Sequence, residues 1–296
     1  MTKQERAIKA RAHYEDIKTR LAANTKLSIE RTYVYSPDSF TQHESGNQKP
    51  AFTLTDMDSV SCLFNLSDNG RTAILNYASY KSPGGFFLEG SPAQEEALCH
   101  ESNLYPILLA FDGTYYAWNR QRLNKALYLN RALYSPSVVF ERNDKQKKAD
   151  VITCAAPNFR TAHRYQSVSK SENDRVLENR IHFMYQIAEE NGVENLVAGA
   201  WGCGVFMQDP YTVATLLIGA ARNYNIPNIY FAIPDRNSQN FRAYKQLIIA
   251  RKDLNMSPGK FPMLLLLFFW KRFFGEAKKR WHYVSYGYKS RYRLIP

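Results

Sequence analysis

From Arg71 to about residue 250 the chain repeats one pattern, a short apolar run, then a loop of small or polar residues, then a helix-length segment. TAILNYA, ADVITCAAP, ENLVAGAWG and NIYFAIPD are the apolar runs, and helices are predicted within 94–111, 172–190, about 210–223 and 238–250. Unbroken apolar runs read as strands buried on both faces, and such strands need helices on either side of a mixed or mostly parallel sheet. An α/β fold is the expectation. A chain of 296 residues, 45% hydrophobic, can bury such a core without disulfides or a structural metal.

Upstream, residues 2–24 lack Gly and Pro and place Ile8, Ala12, Tyr14, Ile17 and Leu21 near one face, which predicts an N-terminal surface helix. LSIERTYVY, AFTLT and VSCLFNL then read as short strands. Downstream, Asn255-Met-Ser-Pro-Gly combines turn residues with a change of charge density. It divides the chain into a domain of residues 1–255 and a tail of 256–296.

Charge supports that division. Of the formal net charge of +12, residues 257–296 hold nine Lys/Arg and one Glu, or +8, which leaves +4 on the body. A body so weakly basic argues against a specific nucleic-acid groove. The tail carries Phe261–Trp270, ten mainly apolar residues followed by Lys271 and Arg272. Because a bilayer span needs about 18 to 20 residues, a packed terminal helix is expected, with membrane-surface contact through 261–296 as the alternative. Cys62, Cys99, Cys154 and Cys203 are spaced 37, 55 and 49 residues apart, with neither a CxxC pair nor a Cys/His cluster. No metal site is expected, and reduced thiols behind a polar N-terminus suggest the cytoplasm.

Three loops at predicted strand ends lead into helices: 76–96, 155–158 and 199–209. In open α/β sheets such loops converge on one crevice. The segment Gly199-Ala-Trp-Gly-Cys-Gly-Val-Phe-Met-Gln-Asp-Pro combines two conformationally free glycines with Asp209 and Pro210 as helix cap and first residue. It suits a phosphate or diphosphate, with tight packing as the structural alternative. In the first loop, Ser91, Pro92 and Gln94 fit a capping box whose helix carries Glu95 and Glu96 in its opening turns. Those carboxylates differ by about 100° around the axis and so serve different roles. The aromatics between Tyr105 and Tyr134 alternate with basic residues; a sheet edge or core accounts for them more simply than base stacking.

At these residues the chain resembles the bacterial-type poly(ADP-ribose) glycohydrolases of the macrodomain superfamily. The matching elements are Asn76-Tyr77-Ala78-Ser79, then Pro83-Gly84-Gly85-Phe86, seven residues, and Gln94-Glu95-Glu96. Cys154-Ala155-Ala156-Pro157-Asn158, Gly199-Ala200-Trp201-Gly202-Cys203-Gly204-Val205-Phe206 and Phe231-Ala232 follow in order. The resemblance implies a macrodomain-like three-layer α/β/α fold with a mixed sheet and an N-terminal helical extension. It implies hydrolysis of ribose–ribose O-glycosidic bonds without metal or cofactor, and ADP-ribose or ADP-ribosylated proteins as partners. Glu96 would be the catalytic acid, while Glu95 and Asn76 hold the reacting ribose. Gly84, Gly85 and Gln94 would bind ligand, as would the diphosphate loop Gly202, Cys203, Gly204, Val205 and Phe206. Phe86 stands where the family has the third glycine of its triplet. That difference leaves a non-catalytic ADP-ribose reader as the alternative.

Overall fold

The computed structural model describes residues 1–40 and 49–253. The chain separates into two units, Met1–Ile248 and Ile249–Pro296. Beyond Asp253 the expectations for the basic aromatic tail, and for the boundary at residue 255, lie outside the described residues.

The first unit opens with α1 (Lys3–Arg20), whose start is closed by Thr2 and Glu5 in a reciprocal capping box. Ile17 and Leu21 are buried and Tyr14 packs against the core, as expected, whereas Ile8 (62%) and Ala12 are exposed and Ala10 is buried in their place. The helix breaks at Leu21 and α2 (Ala22–Arg31) follows. LSIER is therefore helical, and only Tyr33–Tyr35 of that predicted strand forms β1. Thr25 and Ser28, three apart, turn one face of α2 inward, and Ser28 Oγ donates to Pro136 O (2.7 Å).

β2 (Ala51–Thr55) forms as expected, but the predicted strand VSCLFNL becomes α3 (Ser59–Asn65). Asp58 Oδ1 accepts the Val60 and Ser61 amides at 2.9 Å, and a cap of that quality decides an apolar run that periodicity leaves ambiguous. β3 (Thr72–Tyr77) is buried almost throughout. The single helix expected at 94–111 is two, α4 (Gln94–His100) and α5 (Leu104–Leu109). Asn103 interrupts it by behaving as a strand residue, exchanging hydrogen bonds with Val139 through both backbone and side chain.

After α6 (Ala117–Arg120) come β4 (Ala132–Arg142) and β5 (Lys145–Cys154), joined by Asn143 and Asp144, both at positive φ as a tight hairpin requires. No strand is expected at 132–142 from the sequence, because Pro136 and Ser137 break its pattern with a register shift between Ser135 and Val138. Then follow α7 (Phe159–Gln166), α8 (Lys170–Glu190), β6 (Asn195–Ala198), α9 (Pro210–Ala220), β7 (Asn228–Ala232) and α10 (Gln239–Asp253).

The seven strands form one mixed sheet in the order β1-β4-β5-β3-β6-β7-β2. β5, β3, β6, β7 and β2 are mutually parallel, while β4 runs antiparallel to β5 and β1 antiparallel to β4. On one face Ala10, Val60, Leu63, Leu98, Leu104 and Ile107 pack over Ile74, Val151 and Val197. On the other, α8 lies against β5 and α9. This is the three-layer α/β/α architecture expected. β3 is flanked by β5, reached in one direction, and β6, reached in the other, so the connections leaving β3 and β6 part to opposite faces and leave a crevice at their carboxyl ends.

Candidate active site

Two side chains of α4, Gln94 and Glu95, are locked to the end of β3. Gln94 accepts the Tyr77 amide at Oε1 (2.8 Å) and donates from Nε2 to Leu75 O (3.0 Å) and Ser59 Oγ (3.2 Å). Its side chain is thus directed to the protein, where it fixes α4 on β3. For the same reason the expected capping box does not form. The N-cap is Ala93 with no side-chain bond, and Ser91 lies outside the helix.

Glu95 and Glu96 occupy the first turn and are both buried. Glu95 accepts the Ser79 amide at 2.7 Å and Asn76 Nδ2 at 3.2 Å. Burial pushes its carboxyl up to about 8, the Ser79 amide opposes that shift, and the neighbouring Glu96 adds to it. Glu96 turns the other way. Its Oε1 accepts the Phe86 amide at 3.0 Å, and its Oε2 makes no hydrogen bond among the described residues. The two carboxylates therefore have separate surroundings, one tied to the strand and one to the glycine loop. Asn76 donates also to Thr153 Oγ1 (3.3 Å), while its buried Oδ1 has no partner. Such an orphan acceptor costs about 1–3 kcal/mol unless a ligand donor meets it.

The loop above these acids depends on Gly85, which sits at φ +60°. A Cβ there would lie 2.6 Å from Glu96 Oε1 and 3.0 Å from Glu95 Oε2. Only hydrogen lets the backbone come this close. Phe86, one residue on, is not among the positive-φ positions, and its side chain is 66% exposed. Position 86 thus needs no left-handed backbone, and what it supplies to the acids is an N–H that any residue but proline carries.

The loop after β6 supplies the second wall. Gly202, at φ +76°, packs where a Cβ would meet Ala156 Cβ and Gln208 Cγ at 2.9 Å, so tight packing is part of its role. The Cys203 amide is consumed by Ala200 O (3.1 Å), and burial pushes the thiol up, away from thiolate chemistry. The next amides, of Gly204, Val205 and Phe206, donate to nothing among the described residues. Val205 is 67% exposed. Three successive free N–H groups precede α9, whose start is capped by Asp209 with Pro210 in its first turn, as expected. Such a run forms an anion-binding nest.

The two walls meet through aromatic rings. Tyr80, following Ser79, stacks on Tyr128 (4.2 Å between centroids), which meets Phe206 edge-on at 6.2 Å. Trp201 Nε1 donates to Cys154 O (3.2 Å), tying the anion loop to the end of β5. Sequence reasoning does not find the buried Gln208, which holds the loop by donating to Pro157 O (2.8 Å) and exchanging bonds with Asn173. Nor does it find Arg180, whose buried guanidinium donates to Asn130 Oδ1 (2.7 Å) and the Ala155 carbonyl. Neither has a local signal, since each acts on chain far from itself. His100 stacks edge-on with Phe87, and burial keeps its imidazole down, which is no setting for a base.

Comparison with known proteins agrees with this geometry. The family model for the catalytic domain of microbial-type PARG matches residues 3–143. The poly(ADP-ribose) glycohydrolase of Thermomonospora curvata bound to the inhibitor ADP-HPD is 27% identical, with a TM-score of 0.72 covering 82% of this chain and 99% of that one. The poly(ADP-ribose) glycohydrolase of Deinococcus radiodurans in complex with ADP-ribose is 29% identical, with a TM-score of 0.69 over 76% and 97% of the two chains. No curated protein matches. Residues 3–143 thus match the model of the microbial-type PARG catalytic domain, and the fold of the chain is similar to that of bacterial poly(ADP-ribose) glycohydrolases.

Proposed function

We propose that the crevice binds the terminal ADP-ribose of poly(ADP-ribose) and that the chain hydrolyses the ribose–ribose O-glycosidic bond to release it. One observation carries the reading. Two buried carboxylates with separate partners stand at the end of β3, and a run of unpaired amides stands at the end of the adjacent strand β6. The diphosphate lies against the Gly204, Val205 and Phe206 amides. The reacting ribose lies on Glu95 and Asn76, whose unpaired Oδ1 takes a ribose hydroxyl proton in a hydrogen bond. Phe206 packs on that ribose and limits how the polymer end enters.

Glu96, held by one oxygen to the Phe86 amide, uses the other as general acid. It protonates the departing ribose oxygen as the anomeric C–O bond breaks and an oxocarbenium-like centre forms. As a carboxylate it then takes a proton from the attacking water, which restores the acid. Glu95, protonated through most of the neutral range, donates a hydrogen bond to the ribose and spares the site a second negative charge. ADP-ribosylated proteins enter as carriers of the polymer. The proposed setting is the cytoplasm, on the strength of four unpaired cysteines. Among the described residues no helix is long and apolar enough to cross a membrane.

The test is release of ADP-ribose from labelled polymer, beside calorimetric binding of ADP-ribose. Glu96→Gln should abolish release and preserve binding. Binding with no release by the unaltered chain would replace the enzyme by the reader. Absence of binding would remove both.

A further inference from the structure

The segment Tyr80–Lys81 joins the acidic site to a cationic surface that the proposed reaction does not use. Trp118 lies between two guanidiniums, Arg131 Cζ 4.0 Å and Arg122 Cζ 4.4 Å from its ring centroid. Arg122, Lys81 and Arg131 have no carboxylate partner among the described residues, and Arg131 Nε is buried with no hydrogen bond. Arg120 donates to Lys81 O (3.1 Å) and Asn119 to Tyr80 O (2.9 Å), which press this group onto the chain just past Ser79. Between Arg120 and Gly85 opens a cavity of about 240 Å³, and Gly85 is the residue whose other side faces Glu96.

Unpaired cations stacked on one indole repel one another, and the arrangement is relieved by an anion that bridges them. A ligand that presents diphosphates and flat purines in alternation meets the charges with its phosphates and can stack a purine on the exposed Arg122 guanidinium, since both faces of the indole are taken. We infer that this surface, built on Lys81, Trp118, Arg122 and Arg131, is an accessory site for the internal units of poly(ADP-ribose), holding the chain that continues from the bond at Glu96. The inference rests on the proposed glycohydrolase reading. It explains why Trp118 stands among basic residues along 118–131, whereas core packing explains the buried Tyr115, Tyr116 and Tyr128.

The experiment compares the full chain with Lys81→Gln/Arg122→Gln, both exposed side chains, on long polymer and on a two-unit substrate. The KM for long polymer should rise about tenfold in the double variant. Its dependence on log salt should flatten by roughly 1.5 to 2 units for the two cations removed. Kinetics on the two-unit substrate and the Kd of ADP-ribose should stay within twofold, which also reports an intact fold. An unchanged KM for long polymer overturns the assignment, and so does an equal loss on both substrates. Competition by single-stranded RNA as effective as polymer of equal phosphate number would make the surface a nucleic-acid site and overturn it likewise. If the unaltered chain releases no ADP-ribose from any polymer, the glycohydrolase reading falls first. Release with no difference between the chains removes only the accessory site.

Discussion

Replacing Glu95 with Gln tests whether the buried site carries a proton at neutral pH. The Glu95 carboxyl is raised from an ordinary 4.5 to about 8, chiefly by burial. Between those values the folded protein binds a proton that the unfolded chain has lost. Stability on this account is therefore fully present below about pH 4.5, declines as pH rises, and is lost once pH passes about 8. One proton corresponds to about 1.4 kcal/mol per pH unit, so the whole interval amounts to roughly 5 kcal/mol at most. Gln has the same shape and no charge. Its Oε1 can accept the Ser79 amide, and its Nε2 can donate to Asn76 Oδ1 if that amide turns over, which keeps the contact to Asn76 without a charge. Urea unfolding of both proteins at intervals from about pH 5 to pH 8.5 reads the difference directly. The stability of the variant relative to the unaltered protein should climb with pH by up to about 1.4 kcal/mol per unit and level off near pH 8. A difference that stays constant over that range would mean that Glu95 is already ionised at pH 5, and the role given to its proton would be wrong.

Gly85→Ala forces a Cβ to 2.6 Å from Glu96 Oε1 at a left-handed backbone position. It should cost about 1–2 kcal/mol of stability and, by shifting the acid, about 100-fold in turnover. Turnover within threefold of the unaltered chain would show that the loop has room to give. Arg180→Met leaves the buried Ala155 carbonyl and the half-buried Asn130 Oδ1 without this donor, and denaturant unfolding should register a loss of about 3 kcal/mol. Asn76→Ala should weaken ADP-ribose by about tenfold in calorimetry, the ribose losing one hydrogen-bond acceptor. Phe86→Gly should leave ADP-ribose affinity within threefold, because it is the Phe86 amide and not its exposed ring that meets Glu96; a larger change would place that ring against the ligand.

What the sequence by itself determined was local. Period and flanking turns placed β3, β5, β6 and β7, and Asp209-Pro210 marked the start of α9, because an apolar run and a helix cap act within a few residues of themselves. The Gly-Gly and Gln-Glu-Glu segments were recognisable for the same reason. The tertiary structure decided everything that depends on a distant partner. Asp58 and the surface of β4 turned two predicted strands into helix, and the bond from Gln94 to Leu75 moved the start of α4 past the expected cap. Burial beside Glu96 set the proton on Glu95, and the close approach of the backbone at Gly85 brought the Phe86 amide to Glu96. Periodicity and cap chemistry are written in neighbouring residues, whereas desolvation and hydrogen-bond partnership exist only once chain segments tens of residues apart have met.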